Sequence, residues 1–119
     1  MSSRPIRIPG PDHPITITPN PGRVLVRRGD TIIADTRRAL TLREANYPPV
    51  HYIPRADADM TLLEPTAHQT YCPYKGEASY LSADGLPNAI WSYEHPYEAV
   101  AEIAGHLAFY PDRFTISVE

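Results

Sequence analysis

The sequence predicts a mainly β fold, antiparallel sheets built from hairpins, with one short α-helix near residues 96–104. Three observations carry that reading. Short runs rich in Val, Ile, Thr and Tyr recur between turns marked by Gly, Pro and Asp. Two of these runs are joined by a two-residue turn with Gly first, the pattern of a tight hairpin. Only one stretch carries both the start and the stop signals of a helix. A length of 119 residues, with 42% apolar and 21% charged residues, fits one domain around a single core.

Six of the 14 prolines fall within the first 21 residues, and proline lacks the N–H that a ladder or helix interior needs. Residues 1–21 therefore read as an extended Pro-rich N-terminal arm, and residues 22–119 as a single β domain. Ile6, Ile8, Ile15 and Ile17 alternate with polar neighbours, so an edge strand and a free arm are both open readings of the leader. From Arg23 to Asp35 two β-branched runs flank Gly29-Asp30, which predicts a hairpin with a type II′ turn. Arg27, Arg28, Arg37 and Arg38 border it, either as a solvated rim that keeps edges apart or as an anion site. Further strands are predicted at Ala39–Glu44 and Val50–Ile53, then a helical turn over Arg55–Met60 and a turn at Pro65. Strands at Ala67–Cys72 and Ala78–Leu81 follow, a hairpin tip at Ala83-Asp84-Gly85, and a strand at Ala89–Tyr93 with Trp91 and Tyr93 on one face. His95 to Gly105 is the helix: Pro96 suits its first position, Glu98 its first turn, and Gly105 its end. Leu107–Tyr110 and Phe114–Val118 close the chain as a last hairpin around Pro111-Asp112.

A net charge of −3 and a sequence pI near 5.9 supply no global positive field, so neither nucleic acid nor membrane is expected as a partner. The single cysteine excludes an internal disulfide and zinc sites built from paired cysteines, and no metal site is expected. The N-terminus lacks the apolar core of a signal peptide, and no run approaches the ~18 apolar residues of a membrane helix, which makes the cytoplasm the expected location.

Chemistry concentrates in Cys72-Pro73-Tyr74-Lys75-Gly76-Glu77-Ala78-Ser79-Tyr80, which holds both the only cysteine and the only lysine. Gly76 permits a sharp turn beside exposed side chains. Lys75 is placed to hold a phosphate, a carboxylate or a carbonyl carbon, against the alternative of a structural ion pair. Cys72 is either a thiol activated by the nearby ammonium or a small buried apolar residue. Because neighbours on a strand alternate in facing, the two meet only if the turn begins at Pro73. Eight tyrosines against two phenylalanines imply many rings that need a polar tip. Tyr52, Tyr74, Trp91 and Tyr93 are the candidate walls of a half-wet cleft, with Arg55 and Glu94 beside the motif segments.

Tyr52 and Pro54, the run Cys72-Pro73-Tyr74-Lys75-Gly76 with Ala78 and Tyr80, Trp91-Ser92-Tyr93 with Pro96, Ala99 and Ile103, and Ala108-Phe109-Tyr110 together resemble the domain-of-unknown-function family 427. The resemblance spans about residues 23–118 and implies a β-tent-like domain akin to the methionine-R-sulfoxide reductases. Those relatives bind zinc through two Cys-x-x-Cys pairs that this chain lacks. Some collections label the family nucleotidyltransferase-like, but that chemistry needs metal-bound carboxylates and a phosphate cradle. Asp57 and Asp59, two apart in a polar loop, are the nearest approach to it.

The functional expectation is a domain that binds a compact anionic molecule in an aromatic cleft. Lys75 and Gly76 lie at its centre, with Tyr52, Arg55, Tyr74, Trp91, Tyr93 and Glu94 around them. Catalysis would fall to Cys72 and Lys75; no cofactor is specified. An interaction module using the same aromatic face and a thiol-dependent enzyme are the alternatives.

Overall fold

In the computed structural model, which describes residues 4–119, ten strands form three antiparallel sheets. The first sheet takes β1 (Ile15–Pro19), β4 (Leu40–Glu44) and β5 (Val50–Tyr52) in the order β1-β4-β5. The second takes β2 (Val24–Arg28), β3 (Thr31–Thr36) and β10 (Thr115–Val118) in the order β10-β2-β3. The third takes β6 (Leu63–Cys72), β7 (Gly76–Ala83), β8 (Leu86–Ser92) and β9 (Ala108–Phe109) in sequence order. Part of the expected arm, residues 1–3, lies outside the described residues.

The expected single core is instead two clusters of buried residues. Alternation along β7 explains the division: Ala78 and Tyr80 face one cluster, Leu81 and Ala83 the other. β9 and the end of β5 with the residue after it divide in the same way, with Tyr52 and Ala108 on one side and Ile53 and Phe109 on the other. The four-stranded sheet is thus a middle layer covered on both faces, with β1 and β4 over one and β2 and β3 over the other.

The tight turns follow their residues. Gly29 takes φ +59° at the β2–β3 turn, and Asp84 and Gly85 take +47° and +74° between β7 and β8, the pairing of a type I′ hairpin. Pro65 does not end a segment but lies within β6. That strand is the outer one of its sheet, where a missing N–H is tolerated, and its register shifts between Pro65 and Gln69.

Two further expectations need correction. The predicted α-helix near 96–104 is a pair of 3₁₀ turns over Glu98–Ile103, broken at Val100 with φ −128° and ψ 27°. The tighter coil brings residues three apart onto one side, and that is what buries both Val100 and Ile103 against the second cluster. The closing strands do not form a hairpin: β9 pairs with β8 while β10 crosses to β2. Phe114, edge-on to Phe109 at 5.2 Å, anchors the turn that carries the chain between the sheets.

Candidate functional site

The Cys72–Gly76 turn is set by its own residues. Cys72 pairs with Gly76 at the end of the β6–β7 ladder, and Lys75 N–H donates to the Cys72 carbonyl at 3.2 Å. Pro73 therefore occupies the second position of a β-turn, where its fixed φ belongs, and Gly76 follows at φ +106°, a conformation other residues avoid. The Lys75 carbonyl accepts from Tyr97 N–H at 3.1 Å, tying the turn to the segment before the 3₁₀ coil.

Lys75 Nζ is paired with Glu44 Oε1, and each side chain is only 12% exposed. The ammonium also lies 5.8 Å from the centre of the Tyr93 ring. Glu44 Oε2 meets His13 Nε2 at 2.7 Å, so one carboxylate at the end of β4 joins a histidine of the N-terminal segment to the sole lysine. Burial alone would raise the Glu44 pKa, but hydrogen bonds from Lys75 and His13 and the Lys75 charge outweigh it and hold the carboxyl below its ordinary value. His13 in turn stacks on Tyr74, with ring centres 4.0 Å apart and planes 5° from parallel.

The N-terminal segment lies along this turn. Arg7 N–H donates to the Pro73 carbonyl at 2.9 Å, Tyr71 Oη–H donates to the Pro5 carbonyl at 2.6 Å, and Arg4 pairs with Glu77 at 3.0 Å. Between segment and turn is an open hollow of about 390 Å³ lined by Arg7, Ile8, Asp12, His13 and Tyr74 with Gly10 and Pro11. Among the described ion pairs none involves Arg7 or Asp12.

The other sequence-predicted residues are distributed around this centre. Tyr52 and Tyr93 are buried in the second cluster, and burial drives both hydroxyls well above the ordinary tyrosine pKa, keeping them neutral. Cys72 is half-buried against that cluster. Trp91 Nε1–H donates to Tyr52 Oη at 3.2 Å, and the indole borders a different depression from the one at Tyr74. Arg55 and Glu94 pair with each other at 2.5 Å, and Arg55 also donates to the Gly105 carbonyl at 3.3 Å. The structure thus gathers Lys75, Tyr74, Gly76 and Tyr93, holds Tyr52 behind them, and sets Trp91 and the Arg55–Glu94 pair apart.

Sequence reasoning missed Glu44 and His13. Glu44 had a signal: it follows Leu42 by two, so it shares the inward face of β4 with a fully buried leucine. His13, between Asp12 and Pro14 in an irregular segment, had none.

Asp57 accepts from Thr36 Oγ1 at 2.6 Å and from Arg38 at 3.0 Å, and Asp59 Oδ1 accepts from Thr61 N–H at 3.1 Å at the start of a 3₁₀ turn. Both carboxylates serve local structure. No group of three or more His, Cys, Asp or Glu among the described residues is arranged to hold a metal ion. No helix among them is long and apolar enough to cross a membrane.

A family model described as a domain of unknown function, DUF427, matches residues 16–119. No curated protein matches the chain.

Proposed function

We propose that this chain, which belongs to the DUF427 family, binds a compact anionic molecule in the hollow between its N-terminal segment and the Cys72–Gly76 turn. The observation that carries the reading is the His13–Glu44–Lys75 array at the edge of that hollow, with Arg7, for which no ion pair is described, on its wall near Asp12. Because ionised Glu44 accepts from His13 Nε2–H, Nδ1 is the ring atom left to face a ligand, accepting from a hydroxyl when the ring is neutral and donating to an anion when the ring carries both protons. The guanidinium of Arg7 matches a carboxylate or phosphate in fork geometry, and the Tyr74 ring gives a flat floor beneath His13. Lys75 acts from behind, as the charge that keeps Glu44 ionised and His13 oriented. Asp12 on the same rim favours a ligand carrying a hydroxyl donor beside its anionic group, such as a hydroxy acid or a sugar phosphate.

A thermal-shift screen of organic acids, sugar phosphates and nucleotides tests this, because a ligand at 100 times its Kd stabilises by about 2.7 kcal/mol. The expected result is one or more compact anions that raise Tm, with Kd weakened at least tenfold in Arg7→Ala and in Lys75→Met. A panel in which no anion raises Tm, or hits whose affinity both variants leave unchanged, overturns the reading.

A further inference from the structure

On the other side of β5 lies a second depression, about 480 Å³, that none of the chemistry above uses. Its walls include Tyr47, Pro48, Pro49, Trp91 and Phe109, its floor the fully buried Val26 and Ile53, and no Asp, Glu, Lys or Arg lines it. An ion placed there would lose water without gaining a partner. The volume falls within the range of about 300–1,000 Å³ typical of small-molecule pockets. Two rim residues, Tyr47 and Val118, are 65% and 48% exposed, apolar surface that an occupant would cover.

Apart from the Tyr47 hydroxyl on the exposed rim and the Trp91 N–H, the polar side chain on these walls is His51, and its protonation is fixed by a chain of hydrogen bonds. Gly22 N–H donates to Asn20 Oδ1 at 2.8 Å, which orients that amide so that Asn20 Nδ2 donates to Thr41 Oγ1 at 3.2 Å. Thr41 is buried, and the only other partner described for its hydroxyl is His51 Nδ1 at 3.0 Å. The hydroxyl therefore donates to Nδ1, and His51 carries its proton on Nε2. No partner is described for that N–H. It is not sealed off, since among the described residues only Ser92 Oγ is a buried side-chain polar atom without a partner. Trp91, by contrast, has its N–H committed to Tyr52 Oη and offers only its ring.

We propose that this groove is a second binding site, for a compact, neutral, mainly apolar molecule whose carbonyl or ring nitrogen accepts from His51 Nε2–H. Burial beside Arg43 also keeps the ring neutral by holding its pKa below the ordinary histidine value. The site is independent of the anion hollow and stands or falls without it.

Trp91 is the only tryptophan of the chain, so its indole N–H resonance reports on the groove directly. Full-length protein is titrated with acetophenone, with ethylbenzene, which lacks the acceptor, and with benzoate, which adds a charge. The expected result is a saturable shift of the Trp91 signal with acetophenone and at least tenfold weaker responses to the other two. His51→Asn keeps an acceptor for Thr41 but lacks the outer N–H, and it should weaken acetophenone at least tenfold; Val118→Glu, on the exposed rim, should do the same. No saturable response to acetophenone overturns the proposal, as does a response that His51→Asn leaves unchanged. So does concentration-dependent dimerisation in sedimentation that perturbs the same Trp91 signal, which would make the groove an interface between copies of the chain.

Discussion

Glu44 decides what Lys75 can do. With one oxygen on the ammonium and the other on His13, it is a mostly buried charge whose partners are both required. Lys75→Met strips one of them away, and the expected cost is about 1–3 kcal/mol in urea unfolding, because the carboxylate then stays buried with a single partner. The double variant Glu44→Gln with Lys75→Met should recover much of that loss; a single variant as stable as the wild type would show that the pair carries no coupling. Ser92 offers the opposite case. Its hydroxyl is fully buried with no partner among the described residues, so Ser92→Ala should leave stability unchanged or raise it by about 1 kcal/mol, and a clear loss would show that the hydroxyl is bonded. At this scale the sequence identified the lysine because it is unique, but not its partner. Lys75 and Glu44 are 31 residues apart, and only the inward phase of β4 hinted that the acid turns toward the core.

The elements that could be read from the sequence are those closed by local chemistry. Gly29-Asp30 and Asp84-Gly85 each determine their own hairpin, since the backbone conformation they need is one these residues accept. The Cys72–Gly76 turn belongs with them: Pro73 begins it and Gly76 completes it. Gly76→Ala places a β-carbon on a backbone at φ +106° and within 3.5 Å of the His95 carbonyl. It should cost about 1–3 kcal/mol and weaken anion binding as the turn shifts, measured by unfolding and titration together. An unchanged protein would mean the turn relaxes freely. What could not be read was non-local. The partner of β10 lies about ninety positions earlier in β2, and nothing in Phe114–Val118 distinguishes that strand from the nearer β9. The failed helix has a different cause: capping signals at 96 and 105 were present, but burial of Val100 and Ile103 on one side favoured the tighter coil.

For the molecule as a whole, three layers of sheet around two clusters leave carboxylates and one histidine in settings that favour one charge state. Asp57 is held below its ordinary value by hydrogen bonds from Arg38 and Thr36, and Asp35 by its bond to Arg23. Glu44 ends below its ordinary value despite burial, through Lys75 and His13. Burial lowers His51 from 6.5. A group whose folded pKa is depressed takes up its proton first in the unfolded chain, so its contribution is complete above the unfolded value and is lost as pH falls through the folded one. Urea midpoints should therefore decline from below 6.5 as His51 is reached, and more steeply below 4.5 with the carboxylates. A midpoint that rises over that interval would contradict the assignment. The sequence conveyed the β class and the turn at Cys72–Gly76, while the layering that separates Trp91 from Lys75 emerges only from which faces of β7 and β5 are covered. The central claim is tested most directly by titrating isotope-labelled protein with inorganic phosphate and following its backbone and histidine NMR signals. The account predicts saturable shifts at the His13 ring and at residues 5–13 and 73–77; shifts confined to the exposed arginines at 27, 28 and 113, or none that saturate, would contradict it.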